Sequence, residues 1–284
     1  MGVLLAVLAA TVVGASLAVS GAVLQGVLRN PLAEPYILGI VGGGALFSAI
    51  AVKFGLVAAG DWVIPVSCFL GSCFSLLLLL LVAYFAAKAR DANGADAQMR
   101  SSGSTIVVAG FVVGGFTGSL DWLVLSYCPP EEFAKLSKWL YGSLDHVTWR
   151  ALAFGAAALA VSLAVLWRLR RELNVMELGH DEAECLGVDT RKVKLAAIAA
   201  VSLAGAVGFA GLVVPHFVRR VFGPRMQLLV PLSAAFGGAF LVFAHAVSRL
   251  FPVGIGVGVV CAIFGAPFFL FLLASRRSGE GRDV

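Results

Sequence analysis

The sequence predicts an all-α, polytopic membrane protein, and three observations carry that expectation. Of its 284 residues, 60% are hydrophobic and only 13% charged, whereas a soluble domain sits nearer half apolar and a quarter charged. Mean hydropathy is +0.96. Apolar runs of membrane-spanning length recur from end to end, with polar residues confined to short joints. The net charge of +5 would suit nucleic acid in a soluble protein. Here the basic residues stand at the ends of apolar runs, where they orient the chain in a bilayer, and nucleic acid is excluded as a partner.

The runs lie at about 3–23, 37–53, 62–87, 104–127, 148–167, 193–222, 228–247 and 253–273. The first ends in the joint "RNPLAEP", where Pro31 and Pro35 stop one helix and start the next, and Asn30 and Glu34 can satisfy freed backbone groups. The run 193–222 would be about 45 Å long as one helix, against a hydrocarbon core of about 30 Å. It holds Gly208, Gly211 and Pro215, so it reads as two short crossings, 193–207 and 208–222. Charge decides between the two. With nine spans, 16 of the 21 basic residues fall on one side; with eight, the split is 11 to 10. The positive-inside rule selects nine, with the C-terminus cytoplasmic and Met1 outside. An outside start with no flanking charge leads to the expectation that a preceding helix is missing. The chain then divides into a single transmembrane domain over 1–275 and a cytoplasmic tail, 276–284.

Two joints carry more than connection. In the long cytoplasmic one, "HDEAECLGVD" reads as a short helix within 178–188: acidic residues near its start, Ala183 and Leu186 at i, i+3, and Gly187 as its stop. It is either a solvated connector or a dock for a cytoplasmic partner. The outer joint places Phe133, Leu136 and Leu140 at helical spacing over 131–141, with Lys135 and Lys138 on another face. That segment either anchors at the membrane interface or offers a landing platform.

Catalytic and metal chemistry find no support in the pattern. The five cysteines (Cys68, Cys73, Cys128, Cys185, Cys261) form no CxxC pair and read as small buried hydrophobes. His146, His180, His216 and His245 form no metal pair; His216, beside Pro215, reads as a cap for a freed carbonyl. No Walker A loop, nucleophile elbow or paired carboxylate within a span is present, and few ionisable groups lie mid-span. The glycine clusters "GGGALF", "GFVVGGFTGS", "GFAGLVVP" and "GIGVGVVCAIFGAP" either pack helices closely or leave room for a pathway.

Six motifs in register then resemble one family, the FecCD/BtuC-like permeases of type II ABC importers for iron-siderophores, haem and cobalamin. They are "SGAVLQGVLRNPLAEPYILGI", "VVAGFVVGG", "KWLYGSL", "ELGHDEAECLGVD", "GFAGLVVPHFVRRVFGP" and "GVGVVCAIFGAPFFLFLL". The resemblance implies a homodimer with its pathway between the subunits, in the cytoplasmic membrane of a prokaryote. It also implies two cytoplasmic ATPases, which use ATP and Mg that this chain does not bind, and an extracytoplasmic substrate-binding protein. It implies ten helices per subunit, so nine spans fit that scheme without its first helix. By position, Gly179, Glu182, Ala183, Leu186 and Gly187 would couple to the ATPase. Gly42, Gly43, Ser102, Gly103 and Ser104 would narrow the cytoplasmic end of the pathway. Arg249, Lys135 and Lys138 would dock the binding protein, and Gln25, Asn30, Pro31, Glu34, Pro35, Pro215 and His216 fall in signature motifs. Departures are the absent outer RxPR segment, a stretch 188–207 about two turns short, and Gly256 and Cys261 where the final motif has proline and threonine. The residues by themselves leave two alternatives open, a self-contained secondary transporter or channel and a truncated permease that moves nothing.

Overall fold

The first apolar run folds as α1 (Gly2–Val27), and from Gly14 onward every residue of it is buried. A helix apolar on all sides belongs in the middle of a bundle. Small residues seat it there. A Cβ on Gly14 would strike the carbonyl of Gly237 in α10 (Met226–Ser248), and one on Gly21 would strike that of Gly211 in α9 (Ala210–Phe222). Two turns apart on α1, these notches let two helix backbones approach it, as small residues do in membrane bundles.

The computed structural model describes residues 2–31, 33–60, 62–92, 103–129, 133, 142, 144, 147–202, 210–251 and 255–277. Between α1 and α9 the order is α2 (Ile40–Lys53), a 3₁₀ turn (Leu56–Ala59), α3 (Val63–Ala92), α4 (Gly103–Ser126), α5 (Trp149–Arg168), α6 (Arg170–Met176), α7 (His180–Cys185) and α8 (Thr190–Ser202); α11 (Val257–Arg277) follows α10. The main core gathers apolar side chains of α1, α3 to α6 and α7 to α10, among them Leu24, Leu79, Val113, Leu166, Met176, Ala183, Ile198 and Leu229. A second, around Leu17, Leu241 and Val260, takes in Cys261 as a buried hydrophobe.

Among the described residues, five helices are long and apolar enough to cross a membrane: Gly2–Val27, Val63–Ala86, Ile106–Ser126, Trp149–Arg168 and Met226–Ser248. The chain is therefore a multi-pass membrane protein, but length and composition give five such helices, not the nine spans expected. Part of the shortfall has a physical reason. α2, with 14 residues, rises only about 20 Å, short of a full hydrocarbon crossing. α8 is described only as far as Ser202 and α9 only from Ala210, and α11 counts as an apolar helix over Val257–Pro267 alone. The junction between 193–207 and 208–222 lies outside the described residues.

Candidate functional site

α1 ends in a Schellman motif. The N–H of Asn30 donates to the Gln25 carbonyl at 3.1 Å and that of Arg29 to Gly26 at 3.2 Å. Arg29, the left-handed residue, has φ 47° where glycine is usual. The chain then turns through Pro31 and Pro35 and re-enters the bundle, with Glu34 only 3% exposed. Glu34 faces α9: a Cβ on Gly211 would lie 3.7 Å from its Oε2.

Gln25 locks this elbow to α9. Pro215 lies within that helix, has no N–H, and so leaves the carbonyl four residues earlier, that of Gly211, without its helical donor. Gln25 Nε2 donates to Gly211 at 3.2 Å and to Leu212 at 3.3 Å. The freed carbonyl thus finds Gln25, and His216 borders a neighbouring cleft.

That cleft, about 920 Å³, is bordered by Gln25, Arg29, Asn30, Glu177, Arg219 and Arg225 among others. Arg219 pairs with Glu177 at 2.5 Å and reaches the Ala22 carbonyl of α1 at 3.4 Å. Gly26 makes room, because a side chain there would meet Met226 and Glu177 Oε1. Asn174 accepts from the Met226 N–H at 2.8 Å and donates to Gln227. The end of α1, the turn after α6, the last turn of α9 and the start of α10 therefore meet at one joint.

The 178–188 segment continues directly from Glu177. Gly179 precedes α7 in a conformation (φ 158°) with the Glu182 carboxylate folded against it, where a Cβ would collide. Gly187 stops α7 as expected, with φ 80° and a second Schellman pair, Val188 to Ala183 and Gly187 to Glu184, each 2.9 Å. The two apolar residues read as one face separate. Ala183 is 0% exposed in the core, whereas Leu186 is 65% and Leu178 62% exposed. After α7, Asp189 caps α8 by accepting from the Lys192 N–H at 3.0 Å. The Lys192 ammonium, 2.7 Å away, and that N–H hold its carboxyl below the usual carboxylate range.

The remaining expected site residues that are described lie on α2, at the start of α4 and just past α10. Gly43 packs at the α2–α3 crossing against Gly71 and Ser75, while Gly42 faces Thr117 of α4. Gly103 starts α4 with Ser104 beside it, about 21 Å along the helix from Thr117. Arg249 is exposed just past α10. Ser102, Lys135, Lys138 and most of the 131–141 segment lie outside the described residues. The glycines of α4 divide their work: Gly110 packs on Leu38, whereas Gly115 and Gly118 meet open space. They border a cavity of about 710 Å³ between α2 and α4 that also includes Asp121. The sequence reading passed over Asp121, although Gly114, Gly118, Asp121 and Leu125 keep a helical stripe that marks the cavity face.

The model of the FecCD transport family matches residues 3–275. The chain belongs to the FecCD transport family. It is the membrane permease subunit of an ABC importer, not an enzyme. This FecCD permease is 38% identical over 281 residues to the cobalamin import system permease protein BtuC of Halobacterium salinarum, covering 95% of this chain and 71% of that one. To the hemin transport system permease protein HmuU of Yersinia pestis it is 32% identical over 292 residues, 95% and 81% of the two chains. A solved ABC transporter assigned to the metal-chelate type, captured facing inward, superposes with a TM-score of 0.81 at 28% identity, over 96% of this chain and 85% of that one. Among the described residues of the permease, no group of three or more His, Cys, Asp or Glu could hold a metal ion.

Proposed function

We propose that this permease imports a metal chelate (iron-siderophore, haem or cobalamin) by alternating access at a homodimer interface, driven by two cytoplasmic ATPases and supplied by an extracytoplasmic binding protein. One observation carries the reading: Leu178 and Leu186 stand exposed on a segment whose base is clamped through Glu177 and Arg219 to the buried helix α1. A push on α7 is thereby delivered to the bundle centre rather than lost in a loose loop.

In this reading Leu186 contacts the ATPase, Gly179 and Gly187 shape the helix that presents it, Glu182 steadies its start, and Ala183 roots it in the core. Nine crossings with a cytoplasmic C-terminus are supported by the 16 of 21 basic residues on one side. The open face of α4 at Gly115 and Gly118, bordered by Gly42, lines the pathway, with Ser102 to Ser104 at its cytoplasmic end. Arg249, Lys135 and Lys138 receive the binding protein.

Reconstitution with the cognate ATPase tests this. Leu186→Glu should abolish binding-protein-dependent uptake while the permease stays folded. Uptake that proceeds without any ATPase would replace this reading with a self-contained secondary transporter.

A further inference from the structure

Among the described residues, a carboxylate within a membrane-spanning helix has an oxygen with no hydrogen-bond partner. Asp121 of α4 is 7% exposed, and its Oδ1 has no hydrogen-bond partner. Ionisable groups within membrane spans are costly and normally paired. Asp121 borders the α2–α4 cavity and is the only charged residue among the described residues that line it. The volume of about 710 Å³ suits an organic ligand. Part of the wall is bare backbone, since nothing stands within 4 Å of a Cβ on Gly115 or Gly118. The rest is shared between aliphatic side chains such as Ile37 and Leu125 and aromatic ones, Phe111, and Trp122 with Phe133, ring centroids 6.4 Å apart.

A buried carboxylate beside aromatic rings is suited to one kind of occupant, an organic cation. The carboxylate supplies charge and an acceptor, and the ring faces attract the cation further. We infer that this cavity is a subsite for an ammonium group carried by the transported chelate, with Asp121 as its counter-ion. The inference rests on the permease reading and narrows its cargo: the part of the chelate that enters here bears a positive charge. A lipid amine headgroup offers the same chemistry, so the experiment must separate the two sources.

The permease–ATPase complex is placed in nanodiscs of phosphatidylglycerol, which has no amine. Two iron-labelled probes are compared by equilibrium dialysis, a ferric trihydroxamate ending in an ammonium group and its neutral N-acetylated counterpart. The wild type should prefer the ammonium probe by about tenfold or more, the range of a charge-assisted contact. Asp121→Asn, nearly isosteric, should erase that preference while leaving the neutral probe's affinity and the melting profile unchanged. Equal affinity for both probes, no binding of either, or a preference that survives Asp121→Asn overturns the subsite. Loss of the preference when phosphatidylethanolamine is added assigns the cavity to lipid and overturns the cargo reading. Should the subsite fail while ATP still drives uptake, the permease reading stands; an Asp121-dependent preference without ATP-coupled uptake would sink that reading alone.

Discussion

Replacing Gln25 by leucine tests the joint between α1 and α9 at its narrowest point. The side chain is 6% exposed, so leucine fits an apolar surround, but the carbonyls of Gly211 and Leu212 lose their donor. An orphaned buried acceptor costs about 1–3 kcal/mol. Polar contacts between membrane helices measure less, about 0.6 on average and about 1.7 at most. A loss of about 1–2 kcal/mol is therefore expected for Gln25→Leu. The cause is checked by a second change, Pro215→Ala, which returns an N–H four residues after Gly211 and removes the ring from the helix interior. With Gln25 present, that N–H reaches a carbonyl already satisfied; with leucine present, it should recover about 1 kcal/mol more. Unfolding in mixed SDS micelles, followed by circular dichroism on the four variants, gives the coupling energy. Distant sites add to within about 0.5 kcal/mol. Additivity within that margin, or a Gln25→Leu loss below it, would refute the account of Gln25 as the partner of a proline-freed carbonyl.

Ala183→Glu forces a charge into the core and should lower the yield of folded permease, whereas Leu186→Glu leaves melting unchanged and removes ATPase-coupled uptake; size-exclusion profiles and uptake assays separate the two. Gly21→Ala drives a methyl into the Gly211 backbone and should cost about 1–3 kcal/mol or more by overpacking, while Gly115→Ala, facing open space, should be silent in the same unfolding assay. Asp189 is held below its unfolded-state value by Lys192. Its contribution is therefore constant from neutral pH down to about 4 and is lost as acid protonates it in the folded chain. Asp189→Asn should lower the melting temperature slightly, and by the same amount, from neutral pH down to about 4, with the difference from the wild type vanishing in stronger acid; a difference that persists there would count against the assignment.

The elbow was legible in the sequence because prolines beside an arginine and an asparagine, between two apolar runs, leave little choice but a turn at the membrane surface. The job of Gln25 was not, because its partner lies 186 residues away and no local pattern announces it. Ala183 and Leu186 were read as one face, but a six-residue helix has too few turns for periodicity to separate a buried position from an exposed one. The glycines posed the same difficulty. Gly110 and Gly115 look alike in a sequence, and only the elbow packed against the first shows that one fills a crossing and the other borders space. The span count was the least legible feature, since charge counts crossings whereas helix length depends on how short segments share the bundle.

The position of α1 has a consequence for how the protein is made. It leaves the ribosome well before α9 and α10, yet the backbones it is notched to receive belong to those two helices. At about 5–20 residues per second, the roughly 186 residues separating Gln25 from Gly211 take about 10–40 seconds to synthesise. Throughout that interval the most interior helix of the finished permease must sit in lipid, its glycine notches empty and the Gln25 amide without its final acceptor. Biogenesis therefore depends on whatever shelters α1 until the last third of the chain arrives. A defect in assembly would leave α1 exposed, with its notches unfilled.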